Sequence, residues 1–511
     1  MSRVLWFRRD LRFHDNPALV EAASSAWADG DGNLVAVVLI DPMLWPTWGP
    51  AKQAYLIDSL RSLDESLGGS LVIRHGKAQD VIPAIAKEFG VSAVHCAADY
   101  SGYGIARDEE IASKLSASGV EFIKTGSAYA VAPGRVAKDD GTYYKVYTPF
   151  YKRWVIHGWR APADDPIKAP NWIGADTCDG YPDRPDTGGV AIPRAGEAAA
   201  LELFETFLAG PIETYADDRN RPDIAGTSRL SIALKWGEIH PRTLLARLGD
   251  SEGHEVYRKE IAWREFYAEI AFQRPDTITD YFNPLYAQMK YDTGKTADEK
   301  FAAWCEGRTG FPFVDAGMRQ LRAEGWMHNR VRMVVASFLL KDLHLEWQRG
   351  ANYFYDWLLD GDLASNSHGW QWTAGCGTDA SPYYRVFNPI GQGIKFDPKG
   401  DYVRKYIPEL AHIPGGAVHE PWNVAGAFDH GYPEPIVDHA AERLEALDRL
   451  SKLPKASQKA INPKDEDAKT SPAKAKPVIT APATAKPVKK VAQKKPVTKS
   501  KDEAQLIYDF E

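Results

Sequence analysis

At 511 residues, with 44% hydrophobic and 26% charged residues, the chain exceeds what one hydrophobic core organises, and its composition is that of a soluble globular protein with two domains and additions. A formal charge of -7 argues against the whole surface meeting nucleic acid, although such a total hides local patches. The start lacks a signal-peptide stretch, no apolar run reaches the ~18 residues of a membrane helix, and the four scattered cysteines (Cys96, Cys178, Cys305, Cys376) show no metal-ligand spacing, so a reducing, cytoplasmic location is expected.

Residues 3–7 form a short apolar run ending in Arg8-Arg9-Asp10, and Asn16-Pro17 opens a helix to about residue 26. Strand patterns follow at 34–40, 70–75, 91–97 and 120–124, with helical patterns at 51–67, 78–89 and 106–117 between them. That alternation predicts a Rossmann-like α/β domain over residues 1–130, a parallel sheet covered on both faces. No G-x-G-x-x-G follows the first strand, which excludes an ordinary dinucleotide binder there. Residues 131–197, rich in Pro, Gly and Asp, read as a connector wrapped on the surface.

From 198 to 450 the period is helical, with segments at 200–207, 232–248, 255–272, 298–304, 314–324, 327–343 and 351–359. An all-α domain of that size can hold a cofactor inside it. Eight of the sixteen tryptophans fall between Trp236 and Trp372, which singles this region out for aromatic chemistry. Residues 451–511 are expected to be a disordered basic tail, because 469–501 carry ten lysines, no acid and nothing to bury. It reads as a spacer or as a salt-sensitive polyanion tether, and residues 505–510 as a short docking peptide.

Four constellations in the helical domain bear chemistry. Thr227, Ser228, Arg229, Leu230 and Ser231 precede a helix and offer hydroxyls and free N–H groups suited to a pyrophosphate; ordinary capping needs only one of those hydroxyls. Glu260, Trp263, Arg264 and Tyr267 share one helix face opposite Ile261, Phe266 and Ile270, so the helix is expected to line a pocket; the plainer reading is a solvent-facing ion pair. Trp326, Asn329, Arg330 and Met333 share a face ahead of an apolar run. Residues 360–372 place two carboxylates (Asp360, Asp362), two amides (Asn366, Gln371) and two indoles (Trp370, Trp372) within thirteen residues. A packed core has little use for that mixture, whereas a ligand rich in hydroxyls, ring nitrogens and aromatic surface uses all of it. The plainer reading is a satisfied Asp-Gly turn before two core tryptophans.

Together with residues 5–12 (Leu-Trp-Phe-Arg-Arg-Asp-Leu-Arg), 263–267 and 325–330, these motifs resemble the cryptochrome/photolyase family over about residues 2–450, and within it the DNA photolyases that repair cyclobutane pyrimidine dimers. The resemblance implies FAD, bound by Tyr215, Thr227, Ser228, Arg229, Leu230, Ser231, Tyr257, Glu260, Arg264, Asn329, Asp360, Asp362 and Asn366. It implies a pocket for a flipped dimer, lined by Glu260, Trp263, Asn329, Arg330, Met333 and Trp372, with Arg330 and Arg385 toward flanking phosphates. Glu260 and Asn366 are the expected catalytic groups, with Trp370 and Trp347 as the inner members of an electron chain. Tyr291, in Met289-Lys290-Tyr291-Asp292, is the nearest match for the outer member. The α/β domain should carry an antenna pigment. Gly104 stands where folate-binding relatives have a glutamate, so 8-hydroxy-deazaflavin is favoured over methenyltetrahydrofolate, with Lys52 and Asp99 as contacts. The expected partner is ultraviolet-damaged DNA and the expected state a monomer without a metal. A blue-light receptor signalling through the tail is the alternative; repair of the (6-4) photoproduct calls for a paired pocket histidine, and Asn329-Arg330 follow His328 instead.

Overall fold

The computed structural model describes residues 2–28, 30–379 and 384–454, and the expected tail from residue 455 onward lies outside them. Six strands, β1 (Arg3–Trp6), β2 (Asn33–Ile40), β3 (Leu71–His75), β4 (Ala93–Ala98), β5 (Glu121–Ser127) and β6 (Asn171–Trp172), form one parallel sheet. Its order is β3-β2-β1-β4-β5, with β6 beside the start of β2. Successive side chains alternate between two cores. Val4, Trp6, Val35 and Val37 face helices Ala78–Glu88 and Gly102–Ser116, while Leu5, Phe7, Ala36 and Val38 face helix Pro50–Ser66 and reach Trp236, Trp326 and Leu359 of the helical domain.

The strand order reverses between β1 and β4, and ligands of open α/β sheets bind at such a switch point, outside the carboxyl ends of the strands. Residues 7–10 and 99–101 leave the sheet there. Helix Gly102–Ser116 starts earlier than its apolar period because Ser101 Oγ accepts from the Gly104 amide at 3.0 Å and caps it.

Two expectations differ. The helix predicted over 232–248 is broken into Ser231–Trp236 and Pro241–Leu245. Gly237 between them is left-handed (φ 74°), and a Cβ there would meet the Arg9 carbonyl oxygen at 2.0 Å, so the loop after β1 docks directly on this backbone. Nor is the segment 131–197 only a surface connector. It contains helix Tyr147–His157, whose Tyr147, Phe150 and Trp154 are buried against helix Glu252–Gln273. Glu265 of that long helix accepts from the amides of Ala130 and Val131 and from Trp154 Nε1.

Among the described residues no helix is long and apolar enough to cross a membrane. All four cysteines are free.

Candidate flavin site and its aromatic surroundings

Asp362 caps helix Leu363–Ala374, accepting from the Ser365 amide at 3.1 Å, and its other oxygen meets Arg9 at 2.9 Å across the domain seam. Burial alone would raise its pKa, but Arg9, Arg264, the Ser365 amide and Lys235 outweigh that and hold it at about 2. Asp360 gives one oxygen to Arg332 at 2.7 Å. Its Oδ1 is buried with no hydrogen-bond partner among the described residues. Asn366 donates through Nδ2 to the Ala351 carbonyl at 2.9 Å, which turns its own carbonyl oxygen away as a free acceptor. In the same helix His368 and Gln371 are fully buried and satisfied. His368 bonds to Ala364 O and Thr277, Gln371 to the backbone of residues 277, 280 and 282. The dense run at 360–372 therefore divides into a structural half and an open half.

The loop at 227–231 is built around aromatic rings. Arg229 (φ 54°) reaches Glu324 and covers Trp326 at 4.2 Å, while Trp326 Nε1 donates to Ser231 at 3.2 Å. Tyr257 donates to Ser228 at 3.0 Å and meets Tyr215 edge-on. Leu230 is buried, so only its backbone can serve a ligand. On helix Glu252–Gln273, Arg264 is tied to the carbonyls of Ala128 and Leu234, and Glu260 lies 2.8 Å from Arg219. By their chemistry these residues fit a flavin nucleotide: Asp360 supplies an acceptor with no partner among the described residues, Asn366 a neutral amide oxygen, and Arg9 and Arg264 positive charge near Asp362.

At the expected dimer pocket, Asn329 is exposed on the first turn of helix Asn329–Lys341, with Met333 half-buried one turn on. Trp263 is 8% exposed, because Tyr147 stacks on it at 3.7 Å and 7°. Trp372 is half-buried and donates to the Asp379 carbonyl, and the Asp379 amide donates to Lys145 O. Both indoles are thus steadied by residues 145–147. Arg330, expected toward a flanking phosphate, is 4% exposed, held by Asn220 at 2.7 Å and lying over Phe396. Arg385 is half-buried. His328 caps the helix through Nδ1 to the Arg330 amide and is held neutral by burial and nearby arginines, its pKa pushed down to about 3.

Trp370 meets Phe354 at 5.0 Å and Trp304 at 6.2 Å, and its ring tip fills the space above Gly350, one helical turn from Trp347. Trp347 meets Tyr281 at 6.1 Å, and Tyr291 is hydrogen-bonded to Tyr281.

At the switch point, Asp99 pairs with Arg107 at 3.3 Å. A Cβ on Gly104 would sit 2.2 Å from Asp99 Cγ, so glycine at 104 is what lets this aspartate stand there. Lys52 is fully buried over the Tyr355 ring at 3.8 Å and donates to its carbonyl, not to Asp99. Sequence reasoning missed Lys235, which lies over Trp236 at 4.2 Å with no ion pair among the described residues. Burial, then Arg9 and Lys52, push its pKa down to about 7. Its position two residues before a glycine turn that receives the loop after β1 was the only signal.

Residues 3–171 match the family described as DNA photolyase, and residues 257–452 that described as FAD binding domain of DNA photolyase. A deoxyribodipyrimidine photo-lyase of Streptomyces griseus is 40% identical over 456 residues, covering 86% of this chain and 97% of that one. The crystal structure of a bacterial class III photolyase from Agrobacterium tumefaciens superposes with TM-score 0.78 at 35% identity, covering 90% of this chain and 98% of that one. An archaeal photolyase from Sulfolobus tokodaii, solved with two FAD molecules, gives 0.75 at 28% identity, covering 89% and 100%. A parallel α/β domain joined to a helical FAD-binding domain defines a flavoprotein of the photolyase class. The chain belongs to the DNA photolyase family.

Proposed function

We propose that the chain is a light-driven deoxyribodipyrimidine photolyase. As a monomer it binds ultraviolet-damaged DNA, takes a flipped pyrimidine dimer between Trp263, Met333 and Trp372, and splits the cyclobutane ring. The single observation that best supports this reading is the segment 360–366, where Asp360 Oδ1 is buried with no partner among the described residues and Asn366, tied through Nδ2 to the Ala351 carbonyl, keeps its own carbonyl oxygen for a ligand. Bound, fully reduced FAD supplies, on excitation, the electron that opens the ring. Asn366 matters because an electron-rich flavin is disfavoured by a nearby negative charge, while a neutral amide accepts from a protonated ring nitrogen and adds none. Asp360, Asp362 and Arg264 orient the cofactor, and the N–H groups of 227–231 face its diphosphate. Glu260, an acceptor beside Arg219, meets a pyrimidine N–H. A dimer enters readily because its stacking and pairing are already weakened.

The antenna in this reading is 8-hydroxy-deazaflavin at the switch-point seam. Arg9, Lys52 and Lys235 offer cations to its acidic hydroxyl, with Trp48 and Tyr355 as flat partners; the Trp48–Tyr355 hydrogen bond, with Lys52 over one ring and Lys235 over the other, supports one shared site.

The test is to record the purified protein's spectrum, bind it to thymine-dimer DNA and illuminate. Light-dependent recovery of thymine absorbance is expected. Persistent lesions with reduced flavin and DNA both bound would overturn the reading.

A further inference from the structure

We infer that Tyr281, with Glu346 as its proton acceptor, is the terminal electron donor to Trp347, in place of Tyr291. This rests on the reading that Trp370 and Trp347 relay electrons to the flavin. Trp347 is 1% exposed, and its Nε1 has no acceptor among the described residues. Once oxidised, its indole cannot shed a proton locally and stays a strong oxidant. The Tyr281 ring stands edge-on to it, centroids 6.1 Å apart at 88°. The Tyr281 hydroxyl donates to Glu346 Oε1 at 2.7 Å. A phenol gives up an electron far more easily when its proton leaves at the same time, and a carboxylate at hydrogen-bond distance is the base for that. Tyr291 has no ring contact with Trp347 among the described residues; it is hydrogen-bonded to Tyr281, and burial first, then Tyr291 and Glu346, raise the Tyr281 pKa.

The step balances as follows. With FAD bound in its oxidised form and excited by light, Trp370 would give up one electron to it, the flavin being reduced by that electron, and Trp347 would refill Trp370. The Trp347 radical cation takes one electron from Tyr281 and returns to neutral indole. The Tyr281 O–H bond breaks, and its proton forms an O–H bond on Glu346, leaving a neutral phenoxyl radical and a carboxylic acid. With no charge left on the donor, recombination is slowed.

A competing exit runs from Trp370 to Trp304 (6.2 Å), Tyr353 (5.6 Å) and Trp357 (6.0 Å). Its tyrosine donates to the Cys305 main-chain carbonyl at 3.0 Å, which is no base. The carboxylate distinguishes the two routes.

The experiment is flash photolysis of the FAD-loaded protein, reading the neutral tyrosyl radical by transient absorption and electron paramagnetic resonance. The signal should vanish in Y281F, form about a hundredfold more slowly in E346Q, and persist in Y291F and Y353F. Persistence in Y281F, or loss in Y291F or Y353F, would overturn the assignment. W347F separates the two levels. Loss of the signal there, together with persistence in Y281F, sinks the assignment alone; an unchanged signal in W347F sinks the relay reading and the assignment with it.

Discussion

Two buried carboxylates in the helical domain, Asp315 and Asp360, have opposite surroundings. Asp315 is fully buried and closed. It accepts from Thr309 N and Oγ1, Gly310 N and the Tyr432 hydroxyl at 2.6–2.9 Å. Asp360 is 8% exposed, with one oxygen on Arg332 and the other without a partner among the described residues. Native interiors rarely leave a buried acceptor unpaired, so the first carboxylate is architecture and the second is the one the proposed reading assigns to a ligand. Glu265 belongs with the first kind and Asn366, with its free carbonyl oxygen, with the second.

The largest expected effect falls on the closed side. D315N turns an amide toward buried donors and should cost about 4 kcal/mol of stability. Chemical denaturation would read it, with FAD affinity of the folded fraction unchanged.

Glu265 comes next. Burial raises its pKa from 4.5 to about 7, in spite of its three N–H donors and Arg264. The fold thus favours the protonated form, so the contribution is fully present below about pH 4.5 and is lost as pH rises through about 7. Wild type should lose up to ~3 kcal/mol across that window relative to E265Q, whose profile lacks the slope; thermal unfolding against pH measures it.

On the open side, D360N keeps a bond to Arg332. It should change the stability of the cofactor-free protein by less than ~1 kcal/mol while weakening FAD about tenfold, roughly 1.4 kcal/mol, in a fluorescence titration. A stability loss as large as that of D315N would erase the contrast. The smallest effect is K235M, which removes a half-buried cation with no ion pair among the described residues and should stabilise the pigment-free protein by about 1 kcal/mol. It should also lower retention of added 8-hydroxy-deazaflavin, read by absorbance after gel filtration.

What was legible in the sequence was local. The short apolar runs at 34–40 and 70–75 appear as β2 and β3 because a buried-type run bounded by turn signals is visible without its partner strands. The helix that carries Glu260, Trp263 and Arg264 was visible for the same reason. Illegible were features made by distant backbone. The break at Gly237 is set by Arg9 O, the Tyr147 cover on Trp263 by a segment read as surface, and the burial of Arg330 by Asn220 and Phe396. Lys235 was missed because a lone lysine on a short helix looks like a solvated one until Trp48 and Trp236 close over it. Of residues 360–372, the sequence could not separate Gln371, which braces the backbone at 277–282, from Asn366, because both are amides on one helix.

The most direct measurement is a crystal structure of the FAD-loaded protein. The account predicts ligand donors within hydrogen-bond distance of Asp360 Oδ1 and of the Asn366 carbonyl oxygen. FAD bound elsewhere, or bound here with both oxygens still unpartnered, would contradict it.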